Sequence, residues 1–330
     1  TTIGRVILRA GIRREDTTSD SLEFDPRSSA ELAKAGFAET NGRATTIDGL
    51  KYQYFSKPKV HRIGSYDNYF PSASVKYKIN QNFDAQLGFS STIRRPTFRD
   101  ISGVWDINDD AFQVRLPNPS LTPETSRNFA ARLAYYFEPV GLLGINFYQN
   151  SVKDLLQSLD LTAEEFGYTE SDLARYTFVS TTNVPGRVQI RGMELEYSQS
   201  LSFLPRPLKG LSVRASYTRN YAEIRRPSMS PHTASSGLSY SGGRFNASLN
   251  GKWSDNVPTN EAGNNYVRHR TSLDAGGSWR LNNTYSLSVS VRNILDTPYI
   301  NMQRFVTGPT AMTRSETVGQ SWTFAIKGAY

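Results

Sequence analysis

The sequence predicts an all-β fold, an antiparallel transmembrane β-barrel of which about twelve strands are present. The first observation is a two-residue rhythm, in which Phe83, Ala85 and Leu87 alternate with Asp84 and Gln86. Such alternation is typical of a strand with one apolar and one polar face. A soluble sandwich turns its apolar face to a core, whereas a membrane barrel turns that face to lipid and its polar face to a lumen.

The length of the alternating segments favours the membrane barrel. Strands of soluble proteins usually run ~5–6 residues, but the runs here have about ten or more, the length that a tilted strand needs to cross a bilayer. The pattern recurs along the chain, from Val6 and Leu8 near its start to Leu249 and Leu273 in its second half.

Aromatic residues accompany the short turns on the apolar face. They are Tyr77 and Phe83 at one turn, Tyr240 and Phe245 at a second, and Trp279 and Tyr285 at a third. Cross-strand aromatic pairs of a soluble sheet would explain any one of these turns. Their clustering at one end of the strands indicates an interfacial girdle instead.

Applied along the chain, the alternation predicts twelve strands, at about 2–14, 66–79, 82–94, 124–137, 141–153, 186–204, 210–221, 232–241, 244–254, 266–281, 284–295 and 315–330. The short connections are 80–81, 138–140, 205–209, 242–243 and 282–283, and they alternate with long ones at 15–65, 95–123, 154–185, 222–231, 255–265 and 296–314. Short periplasmic turns and long extracellular loops are typical of outer-membrane barrels. The last strand ends on the short-turn side, so Tyr330 is expected at the periplasmic face.

Composition excludes several other classes of protein. Hydrophobic residues make up 38% of the chain and no apolar stretch approaches ~20 residues, so no transmembrane helix is expected. The chain has no cysteine, which excludes disulfide frameworks and thiolate metal sites. The net charge of +8 is dispersed over inward strand positions and loops, which predicts a basic lumen and rim and no nucleic-acid partner.

The long loops contain two predicted small helices. Thr162 with Glu165, and Thr169 with Asp172, have the spacing of a capping box. No repeat or linker marks a second domain, so residues 1–330 are expected to form a single partial barrel domain.

Several motifs resemble those of the TonB-dependent outer-membrane receptors. The segment from Leu116 to Ser126 is similar to their "NP-x-L-x-P-E-x-S" strand start, and the segment from Arg292 to Tyr299 is similar to their "N-L-x-D-x-x-Y" motif. The matching residues, for which the physical interpretation is structural, are Pro123, Glu124, Asn293, Leu295, Asp296 and Tyr299, together with Tyr330 in place of the commoner final Phe. The stretch at Phe70-Pro71 and the turn at Leu204-Pro205 are similar to the Caulobacter-type branch of the family.

The resemblance implies the C-terminal half of a barrel of 22 strands. Family members carry an N-terminal plug domain that contacts TonB, and no segment of this sequence corresponds to it. The implied location is the outer membrane of a Gram-negative bacterium. The implied partners are outer-membrane lipid, the TonB complex through the missing plug, and a small extracellular solute.

No residue pattern indicates an enzyme, a cofactor or a metal site. Nucleophile, zinc-protease and phosphate-loop motifs are absent, and His61, His232 and His269 lie far apart. The spacing of Asp106, Asn108 and Asp110 matches the start of a calcium loop, but the glycine and closing glutamate that such a loop needs are missing. A solvated acidic loop is the simpler interpretation.

Ligand contacts are expected on the long outward loops, because binding residues concentrate on loops that a rigid scaffold carries. Aromatic rings among carboxylates would suit sugars, and guanidinium groups would suit anionic iron chelates. The candidate residues are Trp105, Asp106, Asp109, Asp110 and Phe112, with Arg94, Arg95 and Arg99 beside them and Tyr168, Arg175 and Tyr176 on the next loop.

The predicted function is energy-coupled uptake of a scarce extracellular solute, an oligosaccharide or an iron chelate, without chemistry. A passive porin or another outer-membrane barrel is the alternative. A soluble carbohydrate-binding β protein is a more distant one.

Overall fold

A computed structural model describes residues 2–40, 42–101, 105–168, 172–305 and 307–328 of the chain. Twelve long strands form one large antiparallel sheet in these residues, each hydrogen-bonded to the next in chain order. They are β1 Val6–Glu23, β2 Val60–Lys78, β3 Phe83–Arg94, β4 Glu124–Phe137, β5 Gly141–Leu161, β6 Thr177–Ser200, β7 Leu211–Ala222, β8 His232–Gly242, β9 Phe245–Ser254, β10 Arg270–Arg280, β11 Tyr285–Arg292 and β12 Ser321–Gly328. The predicted fold class and the approximate number of strands are confirmed.

Four strands extend further toward the long-loop side than the sequence predicts. The predicted loops at 15–65 and 154–185 are wrong at their ends, since β1 continues to Glu23, β2 begins at Val60, β5 continues to Leu161 and β6 begins at Thr177. The added residues of β1 are almost all polar or charged, so they carry no alternation that would mark a strand.

A bulge in β5 reverses the alternation of apolar and polar residues, so the continuation of the strand is not visible in the sequence. Asp154 (φ +54°) interrupts the pairing of β5 with β6 and faces a segment that contains Gly186 (φ +85°). Beyond the bulge, Leu155 packs with the inward Val152 and Val188 in one buried cluster. Odd-numbered positions of β5 therefore point outward before the bulge and inward after it.

The two faces of the sheet follow the predicted division. On one face, Leu87, Ala131, Phe147 and Met193 lie directly opposite one another across β3 to β6. On the other face, the Lys76 ammonium lies 2.8 Å from the Asp84 carboxylate. Similar polar contacts join Arg132 to Glu196 and Arg214 to Asn250. Several charged side chains of the polar face therefore have polar partners within the wall.

Side-chain caps and glycine shape the short turns. The amide oxygen of Asn80 accepts the backbone N–H groups of Asn82 and Phe83, each at 2.8 Å. Asn282 caps the last short turn in the same way, and Gly243 supplies the positive φ (+58°) of another.

The predicted aromatic residues border these turns. The Phe83 ring stacks on Tyr135 with centroids 4.4 Å apart, and Phe245 pairs with Tyr240 and lies opposite Trp279. The aromatic side chains thus form a band at the short-turn end of the apolar face.

Most of the remaining elements lie in the long loops. The helices are Ser29–Lys34, Ile47–Phe55, Phe98–Ile101 and Ala163–Phe166, with a 3-10 turn at Leu208–Gly210. The short strands are Thr2–Ile3, Glu39–Thr40, Arg43–Ala44, Asp106–Asn108, Gln113–Leu116, Val257–Pro258, Asn265–Val267, Tyr299–Gln303 and Ala311–Glu316. The predicted capping box at Thr162 is confirmed. The second predicted box, at 169–172, falls largely outside the described residues.

The sheet has two free edges within the described residues. Thr2–Ile3 folds back onto the start of β1, and β12 pairs only with β11. The expected terminal residue of the wall, Tyr330, lies outside the described residues. In the described part of the chain, no helix has the length and hydropathy to cross a membrane.

Candidate functional site

Two of the long loops fold together beyond the long-loop ends of β5 and β6. The short strand Gln113–Leu116 pairs in parallel with the first residues of β6, and Asp106–Asn108 adds an antiparallel strand to it. This pairing carries the loop between β3 and β4 across to β6. We call the assembly the loop unit, defined as residues 98–101, 105–118, 162–168 and 172–180.

The loop unit has its own hydrophobic core. Phe178 and Val114 are fully buried, and the remaining core residues are Leu116, Ala163, Tyr168 and Leu173. Trp105 packs against this core, with its ring about 6 Å from those of Phe166, Tyr168 and Phe178. The structure therefore places Trp105 and Tyr168, two of the predicted ligand residues, inside the loop unit.

Arg43, from the loop between β1 and β2, enters the same core. Its guanidinium carbon lies 4.2 Å from the ring centroids of both Trp105 and Phe166. Burial lowers the pKa of Arg43 to about 10, so the group stays charged at neutral pH. Two of its nitrogens, Nε and Nη2, are buried without a hydrogen-bond partner among the described residues. The aromatic faces are thus what stabilises this charge, and no sequence signal marked Arg43.

Trp105→Ala is expected to loosen the loop unit without affecting the barrel wall. The change removes a large ring from the core and exposes one face of Arg43, which should cost about 2–4 kcal/mol of local stability. Hydrogen exchange of the amides at 113–118 and 177–180 should become faster, while exchange in β9 should not. Phe112→Ala, at an exposed ring, is the matched control, and equal exchange in both variants would contradict the core role.

Tyr176 links the two halves of the loop unit. Its hydroxyl donates to the Asp109 carboxylate at 2.8 Å, and this hydrogen bond raises the pKa of Tyr176. Phe112, which has a positive φ of +48°, packs edge-on against the Tyr176 ring at 5.5 Å. Asp110 and Arg175 lie exposed beside this pair. Five of the predicted residues, Arg175 among them, therefore share one outward edge.

The helix Ala163–Phe166 is fixed at its start by its capping box. Thr162 and Glu165 exchange side-chain hydrogen bonds with each other's backbone N–H groups. The backbone N–H of Thr162 and, next, its hydroxyl donate to the Glu165 carboxylate and hold the pKa of Glu165 below its usual value. The helix thereby presents Phe166 to Arg43 in a fixed position.

The predicted arginines are not gathered into one cluster. Arg95 binds Glu15 of β1 at 2.7 Å, and Arg94 lies 3.6 Å from Glu124. Arg99 pairs with Asp106 within the loop unit. Each guanidinium has a carboxylate partner, and the three sit at different points along the rim.

The motif around Pro123 and Glu124 closes the bulge of β5. The Glu124 carboxylate accepts the backbone N–H of Leu156 at 2.9 Å. Asn183, which the sequence did not single out, exchanges two 2.9 Å hydrogen bonds with the backbone of Thr122 and donates to the carbonyl of Asp154 at 2.7 Å. These bonds tie the start of β4 to the bulge and so fix the base of the loop unit.

The second motif forms a clamp around Asn293, which has a positive φ of +55° and is 9% exposed. Its side-chain oxygen accepts the backbone N–H of Thr297 at 3.1 Å and a guanidinium N–H of Arg270 at 3.2 Å, and its amide donates to the carbonyl of Gly319 at 3.1 Å. Arg270 also stacks on Tyr299, with its guanidinium carbon 4.2 Å from the ring centroid. Nearby Asp296 (φ +47°) donates its N–H to the Asn293 carbonyl, and Leu295 is exposed. The clamp joins three segments that are distant in sequence.

Two of the three residues with the spacing of a calcium loop, Asp106 and Asn108, already have other partners. Asp106 pairs with Arg99, and the Asn108 side chain accepts the backbone N–H of Ala111 at 3.0 Å. Across the described ranges, no group of three or more histidine or acidic side chains is placed to hold a metal ion.

Solved structures of several transporters share this fold. A mutant ferric enterobactin receptor from Pseudomonas aeruginosa, crystallised with enterobactin, is 16% identical with a TM-score of 0.58, over 82% of this chain and 42% of that one. The copper transporter OprC is 14% identical with a TM-score of 0.62, over 99% and 46%. The FrpB iron transporter from Neisseria meningitidis is 14% identical with a TM-score of 0.57, over 98% and 43%. This chain therefore spans less than half of the length of each structure.

Sequence comparison identifies the family. No curated protein sequence shows significant similarity to the chain. The family model described as "TonB dependent receptor-like, beta-barrel" matches residues 1–294. The chain therefore belongs to the TonB-dependent receptors, the outer-membrane β-barrel proteins of Gram-negative bacteria.

Proposed function

We propose that the chain is part of a receptor that takes up a scarce extracellular solute by energy-coupled transport. The observation that supports this function is the loop unit, a folded assembly with its own core on the inward side of β5 and β6. Such an assembly can hold a solute at the barrel mouth. A passive porin, the alternative, needs a mouth that stays open to diffusion.

The barrel supplies binding and passage, and a plug coupled to TonB supplies the gate. Capture by the loop unit would raise the local concentration of the solute, and TonB acting on the plug would then open the lumen. No described side chain needs to perform chemistry in this scheme. The receptor is therefore a transporter and not an enzyme.

We propose an anionic metal chelate, and an iron chelate first, as the solute. The net charge of +8 favours an anion, and the exposed Arg175 offers it a guanidinium on an outward edge that also carries Asp109 and Asp110. Two of the solved structures described above carry ferric enterobactin and iron in their names, which agrees with this choice. An oligosaccharide is the second candidate, because Phe112 and Asp110 would offer a ring and a carboxylate on the same edge.

The test is uptake by the whole receptor in cells with and without TonB. Labelled ferric chelates and labelled oligosaccharides are supplied in parallel at limiting concentration. Uptake of a chelate that falls at least about tenfold without TonB supports the proposal. Uptake that is equal in the two strains would identify a passive porin, and TonB-dependent uptake of sugar alone would replace the chelate by an oligosaccharide.

Arg175→Ala is expected to weaken chelate binding at the cell surface about tenfold, which corresponds to ~1.4 kcal/mol. The reason is the loss of a charge-assisted hydrogen bond to the anion. Equilibrium binding to intact cells measures the effect. Arg206→Ala, at an exposed arginine in a short turn, is the matched control, and an equal effect of the two changes would argue against a site on the outward edge.

A further inference from the structure

The turn between β6 and β7 differs from the other short turns. The other four span two to four residues each, whereas this one runs from 201 to 210 and ends in the 3-10 turn Leu208–Gly210. We call residues 201–210 the foot. Short turns of outer-membrane barrels face the periplasm, so the foot lies on the periplasmic side of the membrane.

Backbone hydrogen bonds give the foot a defined shape. The N–H of Leu204 donates to the carbonyl of Leu201 at 3.0 Å, and the N–H of Leu208 donates to the carbonyl of Pro205 at 2.8 Å. Gly210 fixes the far end, because a Cβ at that position would overlap a backbone carbonyl oxygen at the end of β8. The foot is therefore a folded element that is packed against its neighbouring strand.

The foot begins and ends beside the aromatic band of the lipid-facing side. Leu201 donates its N–H to the carbonyl of Leu211 at 2.8 Å and so extends the pairing of β6 with β7 by one residue. Leu211 lies opposite Tyr240, one of the aromatic residues that border the short turns. A Cβ at Gly210 would also approach the Tyr240 ring. Because aromatic bands mark the level of the lipid headgroups, the foot lies at the membrane surface.

The foot exposes large apolar side chains at this level. Phe203 is 62% exposed and Leu208 is 47% exposed. Val140, on the neighbouring turn, is 81% exposed, and its carbonyl accepts the N–H of Ser200 at the base of the foot at 3.2 Å. Apolar side chains beside a membrane gain free energy when they leave water for the boundary between headgroups and acyl chains.

The foot also carries two basic side chains, Arg206 and Lys209, and no acidic one. Both are exposed, and within the described part of the chain neither forms an ion pair or a side-chain hydrogen bond, not even with the exposed Glu138 of the neighbouring turn. By contrast, Arg244 in another short turn donates to the carbonyl of Leu281 at 3.3 Å. The two cations of the foot are thus left for a ligand that comes from outside the chain.

We infer that the foot binds anionic phospholipid of the periplasmic leaflet, with Phe203 and Leu208 at the top of the acyl chains and Arg206 and Lys209 on the headgroup phosphates. Anionic headgroups attract basic side chains that flank an interfacial apolar surface, and long cationic side chains extend to the headgroups while their carbon stems stay on apolar surface. A zwitterionic phospholipid fits less well, because its ammonium group repels the same two cations. The inference does not depend on which solute the receptor takes up.

The first test is lipid retention by the whole receptor in detergent, measured by native mass spectrometry. The probes are phosphatidylglycerol and phosphatidylethanolamine with identical acyl chains. The receptor should retain phosphatidylglycerol about tenfold better, because only this lipid brings a net negative charge to the two cations. This arm needs no variant, and equal retention of the two lipids overturns the proposal.

The second test locates the site. Arg206→Gln combined with Lys209→Gln should reduce retention of phosphatidylglycerol about tenfold, whereas Lys34→Gln combined with Arg304→Gln, at two exposed basic residues of the long loops, should not. Heat-modifiable gel mobility confirms that both double variants contain a folded barrel. An equal loss in both would show general charge attraction and would reject the foot. Unchanged lipid retention in the foot variant, with loss of binding to isolated peptidoglycan, would assign the foot to the cell wall instead.

The third test examines the apolar side of the foot. The chain contains no cysteine, so a fluorescent label on Phe203→Cys can be compared with the unsubstituted receptor as background, in vesicles with iodide on both sides. Brominated phospholipid should quench this label, and iodide should not. Phe98→Cys, at a ring in a long loop that is 76% exposed, is the control that iodide should reach. Equal quenching by iodide at the two positions would place residue 203 in water and overturn the proposal.

Discussion

Leu249→Arg should lower the free energy of unfolding in lipid by about 2–4 kcal/mol, because a guanidinium on the outward face has to leave water and enter hydrocarbon. Leu249 lies between Leu238 and Ala275 on neighbouring strands, in the middle of the apolar face, and its side chain is 40% exposed in the chain alone. Lipid therefore has to cover it. Urea-induced unfolding of the whole receptor in vesicles measures the change.

Ser248→Arg is the matched control, since it places the same charge one residue away on the polar face. Ser248 lies opposite Ser239 and Gly276, where water in the lumen can solvate an arginine. Its cost should be below about 1 kcal/mol. A large cost for Ser248→Arg together with a negligible cost for Leu249→Arg would show that the two faces are reversed.

The membrane-spanning strands could be predicted because one physical requirement governs them. Outward side chains in the middle of the wall are mostly apolar and inward ones can be polar, so the alternation in β3 or β9 shows which face of the strand points outward. The positions of the short turns could also be predicted, because Asn80, Asn282 and Gly243 are residue types that favour turns. Local chemistry thus determines most of the wall.

The extensions beyond the membrane could not be predicted by the same rule. The bulge at Asp154 reverses the alternation of β5, and the end of β1 is almost entirely polar, so it shows no alternation of apolar and polar residues. Both segments become strands because their partners supply backbone hydrogen bonds. A strand that depends on its partner leaves little trace in its own sequence.

Two kinds of feature in the loops were missed for different reasons. The helix Ser29–Lys34 begins with a capping box between Ser28 and Glu31, a local signal that the sequence does contain. The position of Arg43 between Trp105 and Phe166 has no local signal, because the three residues come from three different loops. The loop core is therefore a product of tertiary packing, and the ligand residues predicted around it stay a prediction.

Asn293→Ala is expected to lower the stability of the barrel by about 2–4 kcal/mol. The substitution leaves the Thr297 N–H, the Gly319 carbonyl and the Arg270 guanidinium without their shared partner. Each buried group without a hydrogen bond costs ~1–3 kcal/mol, and water that reaches the site reduces this cost. Alanine also tolerates the positive φ at this position less well than asparagine.

A graded series separates the contacts of Asn293 from its backbone conformation. Asn293→Asp keeps the acceptor for Thr297 and Arg270 and tolerates the positive φ, so it should lose only the donor to Gly319 and cost about 1 kcal/mol. Asn246→Ala, at an exposed strand asparagine, should change stability by less than about 0.5 kcal/mol. Unfolding in urea gives the order of the three variants, and hydrogen exchange at Thr297 reports the clamp directly. A Thr297 amide that stays protected in Asn293→Ala would show that the backbone path, and not the asparagine side chain, joins these segments.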